Sequence, residues 1–468
     1  MRIVIVGAGL VGIQLARYLI QEKHDVSLVE SVEERARYAS NRLDCLVIHD
    51  EGNNLRVLED AGIAKADALV CVTGSDEVNM IICGLAASRY PKLRKIARVR
   101  NGDYVKLHKA GDRMLGIDHF VHPDVEVSES VLNAIEHGVR GDILEFEGVP
   151  YILGSIDITP GCVFDGLAIK DYRKTAPGES LITLVERSGE TILPGGATVL
   201  AKGDRIHILA RKGDLDRIFR LSGRTEQPLR NIGIVGGGRI GTLIAEGLLG
   251  QEEETKPSVF SFFKTFIPRK GYRVTIIEQD YILCKELAAR FPEALILNED
   301  ISEESFTVEE QLDKLDLIIT TTNRQEINII TAVYLKSRGV GKAIAMVTGP
   351  GYAAIARQLG VDVVLPMKTV VVDSILSHLM GQGVKEVHRL GDGSVDIIEV
   401  EIGKDAPAAD TAISDFRLSA GGLLMLVNRR GDSFIPRGDY VFTEGDRLVL
   451  ITKAGSRTEI EKYFGTKL

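Results

Sequence analysis

The sequence predicts an α/β protein with two doubly wound parallel-sheet domains, each followed by a small α+β domain. Two internal repeats carry this prediction. IVIVGAGLVGIQLARYL from Ile3 corresponds to NIGIVGGGRIGTLIAEGL from Asn231, and ILPGGATVLAKGDRIHI from Ile192 corresponds to FIPRGDYVFTEGDRLVL from Phe434. The units therefore follow the order A, B, A′, B′, and a repeat at this scale indicates the architecture before any single element is assigned.

Local composition sets the limits of the four units. In the A units, short β-branched runs alternate with helix-period segments, as in the βαβ units of a parallel sheet. The B units are strand-rich, and their repeated Gly-Asp-Arg signatures, at 203–205 and 445–447, indicate turns. Clusters of Gly, Pro and charged residues mark the connections. The predicted domains are 1–125 for A, 141–223 for B, 229–350 for A′ with an insertion around 250–271, and 385–468 for B′.

Unit A begins with a glycine motif in an informative context. An apolar β run precedes GxGxxG, a helical pattern follows it, and the next β run ends in an acidic residue. Gly7 allows a tight turn, Gly9 lets the backbone approach a pyrophosphate, and Gly12 lets helix and strand pack closely. The alternative is that these glycines serve packing alone. The candidate nucleotide-binding residues of this Rossmann-like motif are Gly7, Ala8, Gly9, Leu10, Val11 and Gly12.

Further candidates lie at the carboxyl ends of predicted strands, where open α/β sheets bind ligands. Glu30 ends the run VSLVE, and its carboxylate would accept hydrogen bonds from the adenosine ribose. The same charge repels a 2′-phosphate, which favours NAD(H), ADP or ATP over NADP. Thr73 and Gly74 close the strand predicted at 68–72 and are expected cofactor neighbours.

The residues after Gly74 are expected to begin a helix. Asp76, Glu77 and Asn79 lie in the segment SDEVN. Capping the helix is the commoner use of Asp and Asn at such a position, and a ligand role for Glu77 is the alternative.

Unit A′ keeps the fingerprint but changes the far side of the pocket. Aligning KIARVRNGDY with KAIAMVTGPGY places Met346 opposite Arg98, and Thr348 opposite Arg100. Because a guanidinium binds phosphate oxygens through paired hydrogen bonds, Arg98 is a candidate phosphate ligand in A. A′ is then expected to bind phosphates more weakly, or to be a structural copy only. Its candidate residues are Gly236, Gly237, Gly238, Arg239, Ile240, Gly241 and Glu278.

An insertion of about nineteen residues separates the glycine motif of A′ from Glu278. It contains PSVFSFFKTFIPRKG, in which four phenylalanines lie between Pro257 and Pro268 beside basic residues. One interpretation is a surface loop that folds its aromatic side chains onto its own domain. The other is a contact with a membrane-embedded partner or with the lipid interface.

Composition excludes several classes of function. The chain has 66 acidic and 57 basic side chains, a net charge of -9, so no basic surface for nucleic acid is expected. The longest runs without a charged residue reach 14 residues, whereas a membrane-spanning helix needs about 20. Five cysteines without a CxxC pair indicate core residues in a reducing cytoplasm.

The sequence shows no group of residues that would support catalysis. A dehydrogenase needs an acid or base beside the nicotinamide and a substrate pocket, and we find candidates for neither. The nine histidines are scattered, and no GKT or GKS phosphate loop occurs. We therefore predict no catalytic residue, no metal site and a protein that is not an enzyme. An NAD-dependent oxidoreductase of unknown substrate is the alternative, and a small-ligand sensor acting through the B units is a third.

The chain resembles the TrkA family of potassium-uptake regulatory subunits, which are built from tandem RCK (regulator of potassium conductance) domains. The resemblance is carried by GAGLVG, Glu30, LEDAGIAKADALVCVTGSDEVNM, IARVRN and ILPGG…GDRI, in the duplicated order and over nearly the full length. It implies Rossmann-like RCK N-terminal domains, each followed by an α+β RCK C-type domain.

The resemblance also implies a function. It points to a cytoplasmic protein, peripheral on the inner face of the cell membrane, that forms a homo-oligomeric ring, expected to be a tetramer. The ring would dock beneath an integral-membrane K⁺-translocating subunit of the TrkH/TrkG type and gate K⁺ flux according to bound NAD(H), or ATP or ADP at the same site. The implied nucleotide-binding residues are Gly7 to Val11, Glu30, Thr73, Gly74, Arg98, Gly237 to Gly241 and Glu278.

Overall fold

The computed structural model describes residues 1–104, 114–136, 139, 144–146, 149–159, 161–176, 178–222, 229–250, 271–301, 312–379, 387–390, 395–415, 421–453 and 456–465. They form two compact units, one of residues 1–139 with 228–379 and one of residues 140–227 with 380–468. Within these ranges, no helix has the length and apolar character needed to cross a membrane. The phenylalanine-rich insertion lies outside the described residues, so both interpretations of it stay predictions.

The first unit contains two parallel sheets, and the first of them is built from unit A. Its elements are β1 (Arg2–Val6), α1 (Leu10–Gln21), β2 (Asp25–Glu30), α2 (Glu33–Ser40), β3 (Leu46–His49), α3 (Leu55–Asp60), β4 (Ala68–Cys71), α4 (Asp76–Arg89), β5 (Arg94–Arg98), β6 (His119–Val121) and α5 (Pro123–Glu136). The strands pair in parallel in the order β3-β2-β1-β4-β5-β6. The order reverses between β1 and β4, and ligands of open α/β sheets bind at such a switch point.

Two antiparallel sheets form the other compact unit. The B elements are β7 (Leu144–Glu145), β8 (Tyr151–Asp157), α6 (Ile169–Thr175), β9 (Ser180–Arg187), β10 (Glu190–Ile192), β11 (Arg205–Arg211) and α7 (Lys212–Leu221). They give a five-stranded sheet in the order β10-β9-β11-β8-β7.

Unit A′ repeats the first parallel sheet. Its elements are β12 (Asn231–Val235), α8 (Arg239–Leu249), β13 (Arg273–Glu278), α9 (Tyr281–Arg290), β14 (Leu295–Asn298), β15 (Leu317–Thr320), α10 (Gln325–Ser337), β16 (Lys342–Val347), α11 (Pro350–Gln358), β17 (Val363–Pro366) and α12 (Met367–Leu379). The strand order is β14-β13-β12-β15-β16-β17. Because β17 lies beyond 350, we propose 228–379, rather than 229–350, as the range of this domain.

Unit B′ repeats the antiparallel sheet. Its elements are β18 (Val387–Leu390), β19 (Val395–Glu401), β20 (Gly422–Arg429), β21 (Asp432–Phe434), β22 (Arg447–Lys453) and α13 (Arg457–Phe464). The strands pair in the order β18-β19-β22-β20-β21. Two Rossmann-like parallel sheets, each followed in the chain by a small antiparallel sheet, confirm the predicted fold class.

The last helix of each parallel-sheet domain packs on the other domain. Val131, Leu132 and Ile135 of α5 lie in the core of the second domain, beside its strands β12 and β13. In return, α12 packs against α1, β5 and β6 of the first domain. The Arg94 guanidinium donates to carbonyls at the carboxyl end of α12, and Lys342 Nζ donates to the Val139 carbonyl 3.4 Å away. The two domains therefore exchange a helix within one chain.

The two antiparallel sheets share one core. Apolar side chains from both sheets contact one another and are buried. Among them are Tyr151, Leu153, Leu184 and Leu209 from the first sheet, and Val395, Ile397, Leu426 and Ile451 from the second. The two B units therefore form one folded body.

The Gly-Asp-Arg signatures lie in turns, and the buried carboxylate of each forms an ion pair with a partly exposed arginine. Asp204 accepts a hydrogen bond from the Ala201 amide at 2.8 Å, which closes the turn before β11. Its carboxylate also accepts two hydrogen bonds from Arg187, both at 2.7 Å. Arg429 and Asp446 repeat this bidentate pair in the second copy, at 2.8 and 2.7 Å. The sequence predicted the turns but not the arginine partners.

Candidate functional site

The three glycines of the first motif lie in different environments, so the need for glycine differs among them. Gly7 has a φ of +108°, a conformation that favours glycine. A Cβ on Gly12 would overlap the Gly7 carbonyl oxygen, so α1 can lie this close to β1 only without a side chain there. Gly9 has a φ of -69°, and no atom lies within 4 Å of where its Cβ would be. Folding therefore requires Gly7 and Gly12 but not Gly9.

The second motif has the same three environments. Gly236 has a φ of +100°, and a Cβ on Gly241 would overlap the Gly236 carbonyl oxygen. No atom lies within 4 Å of the Cβ position of Gly238. In both copies, the middle glycine leaves open space above the backbone at the start of a helix.

The motif residues that follow form the first helical turns. Leu10 and Val11 begin α1, and Arg239 and Ile240 begin α8. Leu10 is 68% exposed although it is apolar. The amides of these turns lack partners within the helix, as at any helix N-terminus, so both turns are suited to an anion.

The acidic residues at the ends of β2 and β13 hold the glycine loops. Glu30 is only 5% exposed, and its carboxylate accepts hydrogen bonds from the amides of Ala8 at 2.5 Å and Val32 at 2.9 Å. Glu278 accepts equivalent bonds from the amides of Gly237 at 2.7 Å and Asp280 at 2.9 Å. Each carboxylate oxygen keeps acceptor capacity for a ribose hydroxyl. Both residues therefore shape the loop as well as offering a ligand contact.

A buried asparagine joins the end of β4 to the end of β5. Asn79 Oδ1 accepts from the Thr73 amide at 2.9 Å and from the Thr73 hydroxyl at 2.7 Å. Asn79 Nδ2 donates to the Arg98 carbonyl at 2.8 Å. Thr73, Gly74 and Arg98 are thereby held at the same edge of the sheet as the first glycine loop.

The Arg98 side chain is held but not fully paired. Its Nη1 donates to the Thr73 carbonyl at 3.3 Å, while its Nε is buried without a hydrogen-bond partner among the described residues. Burial lowers the pKa of Arg98, and the neighbouring positive charge of Arg100 lowers it further. The carboxylates of Asp76 and Asp124 oppose this lowering. A partly desolvated guanidinium whose Nε is unpaired favours an anionic ligand.

The residues after Gly74 act differently from the capping prediction. Ser75 caps α4 by accepting from the Val78 amide at 3.2 Å. Asp76 instead accepts from the amides of Arg100 and Asn101, both at 2.8 Å, and so ties the loop after β4 to the loop after β5. The signal for this network lay in the internal repeat. NRQEIN places Gln325 and Asn328 at the positions that correspond to Asp76 and Asn79.

The second copy repeats the network without the arginines. Asn328 accepts from the Thr322 amide at 3.0 Å and donates to the Met346 carbonyl at 3.0 Å. Gln325 accepts from the Thr348 amide at 3.0 Å, as Asp76 does from Arg100. These bonds place Met346 at the position of Arg98, so the second pocket has a thioether where the first has a guanidinium.

A cavity of about 900 Å³ lies between the two parallel-sheet domains. The first domain contributes the loops after β4 and β5, including Gly74 and Arg100, and the second contributes Gly237, Gly238 and Arg239. The cavity therefore brings the second glycine loop to the edge of the first sheet where β4 and β5 end. Among the described residues, no three His, Cys, Asp or Glu side chains are grouped as metal ligands.

Comparison with known protein families covers most of the chain. Residues 3–123 and 265–366 match the TrkA-N domain, and residues 153–223 and 397–465 match the TrkA-C domain. The matches follow the A, B, A′, B′ order of the internal repeats.

Curated relatives match over their whole length. The Trk system potassium uptake protein TrkA of Haemophilus influenzae is 26% identical, over 99% of this chain and 98% of the relative. The TrkA homologue of Archaeoglobus fulgidus is 29% identical, over 99% of this chain and 100% of the relative. The TrkA protein of Azorhizobium caulinodans is 28% identical, over 100% and 99%.

Solved structures share the fold. The GsuK channel bound to NAD matches with a TM-score of 0.56 and 17% identity, over 99% of this chain and 79% of that chain. The GsuK RCK domain matches with a TM-score of 0.56 and 18% identity, over 99% and 95%. With two TrkA-N domains, each followed by a TrkA-C domain, and relatives aligned along its full length, this chain belongs to the TrkA family.

Proposed function

We propose that this chain is the nucleotide-binding regulatory subunit of a Trk-type potassium-uptake system. It acts in the cytoplasm, peripheral to the membrane, and gates K⁺ flux through a separate integral-membrane subunit of the TrkH/TrkG type. The Trk system potassium uptake proteins that match over nearly their full length support this role, and they favour it over an oxidoreductase. The chain itself then binds nucleotide without reacting with it.

The environment of Gly9 carries the nucleotide proposal. Neither backbone conformation nor packing requires glycine at this position, yet glycine is present in both copies. A pyrophosphate at the helix N-terminus gives the reason, because a side chain there would occupy its space. Packing alone explains Gly7 and Gly12 but leaves Gly9 unexplained.

The ligand at the first site is NAD(H), with ATP or ADP competing for the same position. Glu30 selects an adenosine ribose without a 2′-phosphate, and Arg98 with Thr73 and Gly74 faces the phosphates. The related GsuK channel has been solved with NAD bound. The second site, from Gly236 to Gly241 with Glu278, binds more weakly because Met346 replaces Arg98.

Nucleotide binding acts by stabilising one arrangement of the two parallel-sheet domains. The first site lies on loops that Asn79 and Asp76 hold together, and the exchanged helices join these loops to the other domain. A ligand shifts a conformational equilibrium only by the difference in its affinity for the two states. Activating and inhibiting nucleotides therefore share the site but favour different arrangements.

We also propose that the chain assembles as a homo-oligomeric ring, with a tetramer as the expected form. Apolar side chains are exposed on helices of both parallel-sheet domains: Val78 and Ile81 on α4, Ile330 on α10, and Tyr352 and Ile355 on α11. Exposed apolar surface of this kind is typical of protein interfaces.

Calorimetric titration of the full-length protein tests the nucleotide proposal. NAD, NADH, ADP and ATP are titrated into the wild type, into Arg98→Met and into the matched control Met346→Ala. We expect one strong site per chain, competition among the four ligands, and affinity lowered about tenfold or more by Arg98→Met only, because a hydrogen bond to a charged group contributes about 1.5–3 kcal/mol. Absence of binding to the wild type would overturn the proposal.

A further inference from the structure

The exchanged helices begin with opposite charges at equivalent positions. In the segments LGIDHFVHPD and LGVDVVLPMK, Asp118 corresponds to Asp362, so Asp124 corresponds to Lys368. The structure supports this alignment, because Asp118 accepts from the Lys95 amide and Asp362 accepts from the Ala343 amide, both at 2.8 Å. Asp124 and Lys368 each lie in the first turn of a helix that packs on the other domain.

At the second glycine loop, the negative charge of Asp124 on the exchanged helix is neutralised by an arginine of the loop. Arg239, in the first turn of α8, has its Nη1 4.0 Å from the Asp124 carboxylate of α5. Both residues line the cavity beside Gly237 and Gly238. The cation that this loop carries therefore faces an anion, and the net charge added near the loop is zero.

In the first glycine loop, the same two positions carry a different pair. Leu10 stands where the second copy has Arg239, and Lys368 stands where the first copy has Asp124. The start of α12 lies against α1, because Gln14 Nε2 is 3.4 Å from the hydroxyl of Thr369, the neighbour of Lys368. Because Asp124 contacts the first turn of α8, its equivalent Lys368 is expected beside the first turn of α1.

Lys368 has no anionic partner among the described residues. It is partly buried, no carboxylate oxygen of these residues lies within 4.0 Å of its ammonium group, and no nearby negative charge offsets the burial that lowers its pKa. A partly desolvated ammonium without a counterion is unfavourable, and an anion bound at the loop removes that cost.

We propose that Lys368, carried by the second domain, supplies a cation to the phosphates of a nucleotide held by the first glycine loop. The inference rests on the proposed function, since it assumes a nucleotide at that loop. The bound ligand then contacts both domains, with Glu30 and Arg98 from one and Lys368 from the other. At the second loop Asp124 takes the place of Lys368 and faces Arg239, so the exchanged helix adds no cation for a phosphate there.

Titrations at low salt test this proposal on the full-length chain. ATP and adenosine are titrated into the wild type, Lys368→Gln, Lys368→Met and Lys368→Arg. Lys65→Gln is the matched control. This exposed lysine precedes β4 of the first sheet, at the edge opposite to the first glycine loop. We expect the affinity for ATP to fall about tenfold in Lys368→Gln and Lys368→Met, to recover in Lys368→Arg, and to stay unchanged in Lys65→Gln. Adenosine, which has no phosphate, should bind all five proteins equally.

Each outcome decides one of the two proposals. Equal ATP affinity in the wild type and Lys368→Met overturns the role of Lys368 and leaves the nucleotide site intact. An equal loss of ATP and adenosine affinity also overturns it, because lost packing would then explain the effect. No ATP binding to the wild type overturns the proposed function itself. Loss of ATP affinity alone, decreasing as salt screens the charge, supports the inference.

Discussion

The side-chain amide of Asn79 donates to the main-chain carbonyl of Arg98 at 2.8 Å, while its oxygen accepts from Thr73. The side chain of Asn79 is fully buried. It therefore fixes the ends of both strands, including the main chain that carries the Arg98 guanidinium. The equivalent Asn328 makes the same bonds to Met346 and Thr322. The strand-end scaffold is therefore common to both copies, although it holds an arginine in the first copy and a methionine in the second.

Asn79→Ala should weaken both the first domain and its nucleotide site. The substitution leaves the Thr73 amide and the Arg98 carbonyl unpaired, at a cost of about 1–3 kcal/mol for each buried group. Hydrogen exchange at the Thr73 amide should accelerate, and ATP affinity should fall. Asn328→Ala is the control: exchange should accelerate at Thr322 instead, with first-site affinity retained. Equal loss of ATP affinity in both variants would contradict this prediction.

Gly9→Ala and Gly12→Ala should separate ligand binding from folding. An added methyl at Gly9 meets no atom of the protein, so the melting temperature should change little while nucleotide binding is lost. At Gly12 the same methyl overlaps the Gly7 carbonyl, so this variant should melt at a clearly lower temperature. Gly238→Ala is the control in the second copy. Wild-type nucleotide affinity in a folded Gly9→Ala protein would refute the pyrophosphate position.

Glu30→Gln should loosen the first glycine loop. Both carboxylate oxygens of Glu30 accept from backbone amides, and the amide nitrogen of Gln would turn one of these contacts into two facing donors. We expect a stability loss of about 1–3 kcal/mol and weaker binding of NAD. Glu278→Gln should cost similar stability, measured by thermal unfolding, with NAD affinity at the first site unchanged.

Acid should remove the stabilisation from the Arg187–Asp204 pair. Hydrogen bonds from Arg187 lower the pKa of Asp204 below its ordinary value of about 3.9. A carboxyl with a lowered folded-state pKa stabilises the fold above its unfolded-state pKa, and this contribution is lost as pH falls through the folded-state value. Asp204→Asn should therefore lower the melting temperature at pH 7, and the difference from wild type should shrink below about pH 4.

The exposed pair formed by Lys174 and Asp171 is the control for that experiment. Asp171→Asn should change the melting temperature little, since exposed ion pairs contribute little to stability. A pH profile of Asp204→Asn parallel to that of the wild type would show that the buried carboxylate does not titrate as expected.

The sequence predicted the parts of the fold that depend on local patterns. The glycine motifs, the strands before them and the acidic residues at 30 and 278 follow from spacing and periodicity alone. The repeat also aligned Met346 with Arg98, as the asparagine networks show. These features have signatures in a short motif or in the internal repeat.

The exchange of α5 and α12 was outside the reach of the same reasoning. An amphipathic pattern shows that a helix buries one face, but it does not show which sheet covers that face. The predicted limit at 125 accordingly falls within α5, and the limit at 350 falls before α12. Asp76 was likewise interpreted as a capping residue, because its real partners, two amides 24 and 25 positions away, have no local signal.

The exchanged helices also bear on the duplication itself. Two separate half-length chains could complete each other's cores in the same way only as a symmetric pair, in which every substitution appears twice. Joining the halves in one polypeptide removes that constraint, so a lysine on one helix can face a neutral loop while an aspartate on the other faces an arginine. Covalent fusion thus lets two copies of one site carry different charges.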